Sequence, residues 1–338
     1  MVDFRQEGWV RMTVRHSLVT PMCIGVCIVV FAFAAQAATG ATDRLSVTRR
    51  SDIRVDTNLV LIPVSVTDAG NHPIVGIEAR QFRVFESNVE QEVVSVSTDD
   101  TPVSVAIVFD GSASMKSKLP KAREAVVEFL RSANPDDEFL LVNFASSAEV
   151  AVPWTTNGSE IQNRLMYATT KGRTALLDAI HLAMDSMRDA RNPRKALLII
   201  SDGGDNNSRY TKTEIRDAMR ETDVWVYAIG VYPNGPVILP EEERGGPLLL
   251  SQLAEQTGGR HFAVFDAKDL PQVAVKIGLE LRNQYLVGYR PSTVQPDGKY
   301  HKVQVKLVNT RNAQLSWRPG YYAPVDQPAP HRPRTEPR

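Results

Sequence analysis

Residues 103–115 read VSVAIVFDGSASM. From Val103 to Phe109 the side chains are apolar and rich in β-branched types, with Ser104 the single exception. A run of this kind belongs to a strand buried on both faces, as at the centre of a parallel sheet. It stops abruptly at Asp110-Gly111-Ser112-Ala113-Ser114, where oxygen-bearing side chains alternate with small residues. Oxygen donors without thiol or imidazole suit a hard divalent cation. The turn therefore reads as a metal-holding loop at a strand end.

Downstream, strands and helices alternate. Lys118 to Ala133 places Ala122, Ala125, Val126, Phe129, Leu130 and Ala133 on one face, the pattern of an amphipathic helix. Phe139–Ala145, Ala196–Ile200 and Val224–Val231 read as further buried strands, and His261–Phe265 as another. Val150–Trp154, which contains Pro153, suits a sheet edge. Helices are expected near Ile161 and Leu165, from Leu176 to Met187, and after a Thr211–Glu214 capping box. Two more run from Leu248 to the Gly258-Gly259 stop, and from about Ala267 to Asn283. The alternation predicts an α/β fold, a doubly wound, mostly parallel sheet with helices on both faces. Residues 232–247 (YPNGPVILPEEERGGP) read as an irregular insertion opening on the same face as the metal loop. Its Glu241, Glu242 and Glu243 either shape partner choice or place a glutamate near the ion.

The two flanks read differently. Leu59–Val66, Phe82–Phe85 and Val93–Val96 lie before the α/β stretch; Tyr285–Tyr289, Lys302–Val308 and Gln314–Tyr322 lie after it. All six are strand-like, with turn signals at residues 68–73 and 296–298. Neither flank can close a core alone. The economical arrangement is a small β-sandwich built from residues 58–100 and 284–323, with the α/β domain of residues 101–283 inserted.

At the N-terminus, Arg5, Arg11, Arg15 and His16 precede an apolar run from Leu18 to Ala35, followed by Ala35-Gln36-Ala37. This is the pattern of a secretory signal peptide over residues 1–37. The run is nearly long enough to be an uncleaved anchor, though Pro21 and the small-residue exit favour cleavage. The expected location is exported: periplasmic, secreted or cell-surface. Cys23 and Cys27, the two cysteines, fall inside that run, so the mature chain has no disulfide and no thiol chemistry. Residues 38–57 read as a linker, and residues 324–338, with five prolines, as a disordered tail. The 39 basic residues balance 39 acidic ones without a Lys/Arg block, which gives no sign of nucleic-acid binding.

Two further pieces join the metal loop. Thr174 lies in a glycine-containing loop before a helix, and Asp202 directly follows the 196–200 strand. Singly, each has a plainer reading. Ser112, Ser114 or Thr174 could cap a helix, and Asp202 could form an Asx-turn. Together they occupy the strand ends at which open α/β sheets bind ligands, and the metal reading prevails.

Asp110-Gly111-Ser112-Ala113-Ser114, Thr174 and Asp202 resemble, in full, the three-part metal-ion-dependent adhesion site of the von Willebrand factor type A family. The resemblance covers about residues 102–283. The DxxGxP turn and FxVxE strand between Asp68 and Glu86, with Ser201 to Asn206, resemble bacterial von Willebrand factor A-related proteins of the Acidobacteria type. The resemblance implies Mg²⁺ or Mn²⁺, with Ser112 and Ser114 as direct ligands and Thr174 bound directly or through water. Asp110 and Asp202 would act largely through water. Three hydroxyls and two carboxylates leave incomplete a site for an ion that takes about six oxygens. A Glu or Asp carboxylate of a protein partner would complete it, which is adhesion chemistry. Asp205 is either an outer hydrogen-bonding group or a plain loop residue.

No enzyme activity is expected. The six histidines (16, 72, 181, 261, 301 and 331) show no zinc spacing. Ser112 stands where aspartyl-nucleophile phosphatases carry their second Asp. Neither a G-x-S-x-G elbow nor a phosphate or dinucleotide loop is present. Two alternatives stay open: a metal-dependent hydrolase of a secreted substrate, and a scaffold that the metal merely stiffens.

Overall fold

The computed structural model describes residues 59–99, 101–233, 245–292, 297–310 and 312–323. The expected signal peptide, linker and tail, and residues 234–244 of the insertion with its three glutamates, lie outside the described residues. Three strands come first: β1 (Val60–Thr67), β2 (Phe82–Glu86) and β3 (Val89–Asp99). The α/β part follows with β4 (Val103–Asp110), α1 (Leu119–Arg131), β5 (Glu138–Phe144), β6 (Ala148–Thr155) and α2 (Gly158–Met166). It continues through α3 (Leu176–Ser186), β7 (Arg194–Ser201), α4 (Lys212–Arg220) and β8 (Val224–Val231). It ends with α5 (Gly246–Thr257), β9 (His261–Val264) and α6 (Leu270–Arg282). Four strands close the chain: β10 (Gln284–Arg290), β11 (Tyr300–Leu307), β12 (Gln314–Trp317) and β13 (Gly320–Tyr322).

The α/β part is the doubly wound sheet that the alternation predicts. Its order is β6-β5-β4-β7-β8-β9, parallel throughout except for the antiparallel edge strand β6, which carries Pro153. Every residue of β4 is buried, because helices cover both faces. Val105, Ile107 and Phe109 pack with α1, α2 and α6. Ala106 and Val108 point the other way, to α3, α4 and α5. Each large aliphatic side chain fully buried in these layers contributes about 1.5–3 kcal/mol, so the two layers hold the strand ends rigidly. The Thr211–Glu214 capping box opens α4 as read, and Gly258, at φ 88°, closes α5 in the left-handed conformation that glycine tolerates.

The flanks pair with each other. Their order is β12-β1-β10-β3-β2-β11-β13, all antiparallel, so strands from both flanks are interleaved in one hydrogen-bonded sheet. This sheet curls over its own core of Ile62, Val64, Val66, Phe82, Val84, Tyr285, Val287, Tyr289, Val303 and Val305. Across the curl, Trp317 Nε1 in β12 donates to the Val303 carbonyl in β11 at 3.0 Å. The expected sandwich is thus realised as a single curled sheet. The reason is a long-range pairing: β3 bonds to β10 along Glu92–Asp99 and to β2 along Val89–Gln91, which joins strands of both flanks in one ladder. Ser87 and Asn88, at φ 49° and 68°, make the two-residue turn between β2 and β3. The last expected strand is broken at Arg318-Pro319, where the chain passes from β1 to β11 and the Pro319 carbonyl accepts from Val303 N at 2.8 Å.

Candidate metal centre

The metal loop begins inside β4. Asp110 is the last residue of that strand and is fully buried. Its Oδ1 accepts from Ser112 N at 2.8 Å, and its Oδ2 accepts from Ser201 Oγ at 2.5 Å. Burial pushes the Asp110 carboxyl up to about 6, the Asp202 charge adds to the rise, and the bonds from Ser112 and Ser201 offset part of it. Two carboxylates this close in a desolvated place need positive charge. That observation fits a divalent cation, as does the chemistry of the surrounding oxygens.

Ser112 is buried and Ser114 partly so, and their hydroxyls lie 3.0 Å apart. Ser112 precedes a short 3₁₀ turn over Ala113–Met115 but makes no side-chain capping bond. Its hydroxyl is therefore left to other work. Met115, wholly buried, anchors the turn in the core.

The second loop is stitched to the first through the backbone. Lys171 N donates to the Gly111 carbonyl at 2.9 Å, and Ala113 N to the Gly172 carbonyl at 3.3 Å. Thr174 is buried at the end of this loop. Its N–H donates to Asn206 Oδ1 at 2.9 Å, and its carbonyl accepts from Asn206 N and Asn207 N. It does not cap α3, whose N-cap is Ala175. Asp205 does that from the third loop: its Oδ1 accepts from Leu176 N at 2.9 Å and Ser208 Oγ at 2.5 Å.

Asp202 follows β7 and is 5% exposed. Its Oδ1 faces Gly204 N at 3.4 Å, a long Asx-type contact, and its Oδ2 faces Lys118 Nζ at 3.3 Å. Gly203, at φ 79°, lies against Gly246, so close that a Cβ would meet backbone at 2.7 Å. Only glycine lets the start of α5 close over the third loop there.

Four of the residues read from sequence, Asp110, Ser112, Ser114 and Asp202, thus converge on one spot, and the loop bonds bring Thr174 to the same sheet edge. Sequence reasoning missed Ser201, Lys118 and Asn206. Ser201, next to Asp202, carried no separate signal, and the other two act through folding of remote loops. Among the described residues, no group of three or more His, Cys, Asp or Glu side chains is placed to hold a metal. The present cluster has two carboxylates and owes the rest of its donors to hydroxyls.

Residues 105–204 match the family model of the von Willebrand factor type A domain. The match lies within the α/β part and spans β4 to the loop after β7. No protein of curated function matches the sequence. Among solved structures, the conserved hypothetical protein BatB from Bacteroides thetaiotaomicron is 20% identical, with 54% of this chain and 100% of that one covered at a TM-score of 0.43. A von Willebrand factor type A protein from Catenulispora acidiphila is 13% identical, with 79% and 73% covered and a TM-score of 0.47. Proximal thread matrix protein 1 from the mussel byssus, described with a zinc-occupied metal-ion-dependent adhesion motif, is 19% identical, with 58% and 49% covered and a TM-score of 0.44.

Proposed function

We propose that this is an exported binding module that works through a divalent cation. Asp110, Ser112, Ser114, Thr174 and Asp202 would hold Mg²⁺ or Mn²⁺ as a complete metal-ion-dependent adhesion site, and a Glu or Asp carboxylate of a protein partner would join them. The reading rests above all on one observation: the buried Asp110 carboxyl, whose ionisation burial and the Asp202 charge make costlier, beside two hydroxyls 3.0 Å apart. The bound ion would supply a positive centre for the partner's carboxylate. The chain's own part is to hold the oxygens rigidly at the strand ends and to keep bulk water from Asp110.

A groove of about 500 Å³ opens beside Gly111, lined by Asn143, Ser146, Arg164, Tyr167 and Lys171 among others. Tyr167 is 78% exposed there, an aromatic anchor of the kind enriched at protein interfaces. The groove suits residues flanking the partner's acid. The hydrolase alternative finds little here, because Ser112 Oγ meets another serine rather than an imidazole that could act as its base.

Calorimetric titration with Mg²⁺ and Mn²⁺ tests the reading. Binding near one equivalent is expected for the wild type, and none for folded Asp110→Ala or for the Ser112→Ala/Ser114→Ala pair. A folded wild type that takes up neither ion, even with an acidic peptide present, would sink it. The same peptide, captured only when the metal is present, would separate adhesion from a stiffened scaffold.

A further inference from the structure

We propose that Lys118 is a built-in competitor of the cation: its ammonium and a divalent ion draw on the same carboxylate, Asp202, so that this lysine sets how tightly the metal is held. The inference rests on the metal reading above. The Lys118–Asp202 pair is 3.3 Å long, with the two side chains 17% and 6% exposed, unlike the solvated ion pairs elsewhere on the surface. Lys121, three residues on, shows the contrast: it pairs with Glu124 and is 42% exposed.

The position of Lys118 is itself informative. It is the N-cap of α1 and makes no side-chain capping bond. A cation there sits at the positive end of the helix dipole, the end that favours anions. The helix does not call for it, but the carboxylate across the loop does. Among the described residues, Lys118 is the one cation in contact with Asp202, and Asp110 receives its hydrogen bonds from neutral groups.

Charge counting gives the consequence. One ammonium against two carboxylates leaves the centre short of positive charge, and a divalent ion balances them. Both cations together overshoot, and their mutual repulsion drives the ammonium out to solvent on its flexible stem. A monovalent ion gains nothing over the tethered ammonium, so the lysine also favours divalent over monovalent cations.

The test is calorimetric titration of Mg²⁺ and Mn²⁺ into the full chain, its Lys118→Met, Lys118→Arg and Lys121→Met variants. Lys118→Met keeps the length of the side chain and removes its charge. It is expected to bind either ion about tenfold or more tightly than the wild type, while Lys118→Arg and Lys121→Met bind no more tightly. In chelator, Lys118→Met should melt below the wild type, because Asp202 has lost its partner, and saturating Mg²⁺ should erase the deficit. Equal or weaker metal affinity in Lys118→Met, beside a wild type that binds, overturns this inference and leaves the metal reading standing. Absence of binding in every folded variant overturns both. Binding by Lys118→Met alone supports both.

Discussion

Asp110 is buried in a β-strand end with two neutral donors, and its neighbour Asp202 is acidic. Its carboxyl therefore titrates near 6 in the folded chain and near 3.8 when unfolded. A raised folded pKa means that the native state binds the proton more tightly, so this group lowers stability as pH rises. In chelator, its contribution should fall between about pH 4 and pH 6 by up to about 3 kcal/mol. Asp110→Asn should remove that fall and also the stabilisation by Mg²⁺, both read as melting temperature against pH. Asp110, Ser112, Ser114, Thr174 and Asp202 were legible as candidate ligands because oxygen donors at strand ends are a local pattern. The roles of Ser201 and Lys118 were not, because each acts on a carboxylate far away in the chain, Ser201 Oγ on Asp110 and Lys118 Nζ on Asp202.

Among the elements, α3 depends on a borrowed cap. Its own N-cap, Ala175, offers no side-chain oxygen, and Asp205 accepts from Leu176 N and Ser208 Oγ instead. Asp205→Ala should cost about 1–2 kcal/mol in urea unfolding, and it should weaken metal binding by loosening the Thr174 loop. The curled sheet contains a second device. His301 in β11 meets Glu86 of β2 at 2.5 Å and Asp297 at 3.2 Å, while Tyr289 of β10 and Tyr321 of β13 donate to the same Glu86. Hydrogen bonding to Glu86 and Asp297 raises the His301 pKa. The stabilisation is complete below about 6.5, the unfolded value, and is lost as pH rises through the folded one. The stability gap between wild type and His301→Gln should therefore be widest near pH 5.5 and shrink above neutrality; a pH-independent gap would refute the assignment. Periodicity exposed the helices well, whereas β3 runs to eleven residues because two partners, β2 and β10, extend it.

At the scale of the molecule, the curled sheet and the α/β part meet at Arg260. Its guanidinium pairs with buried Glu280 of α6 at 3.0 Å, and reaches Thr67 of β1, Asn71 and Gln314 of β12. Glu280 is also held by Tyr227, and its carboxyl is pushed up by burial. Removing one partner of a buried pair leaves an uncompensated charge. Arg260→Met should destabilise the chain by about 3–5 kcal/mol in chemical denaturation. Arg260→Met with Glu280→Gln should recover part of the loss.

The chain's alternating apolar runs determined the central sheet, its helical layers and the strand ends that carry the candidate ligands. Each of those features is encoded within a window of one element, where periodicity and turn chemistry act. Folding in three dimensions decided the rest: one curled sheet in place of two stacked ones, Asp205 as the cap of α3, and Lys118 facing Asp202. These depend on pairings between residues far apart in sequence, such as β1 with β10 and Arg260 with Thr67. Local pattern has no term for such contacts, because their free energy appears only when distant segments lose water together.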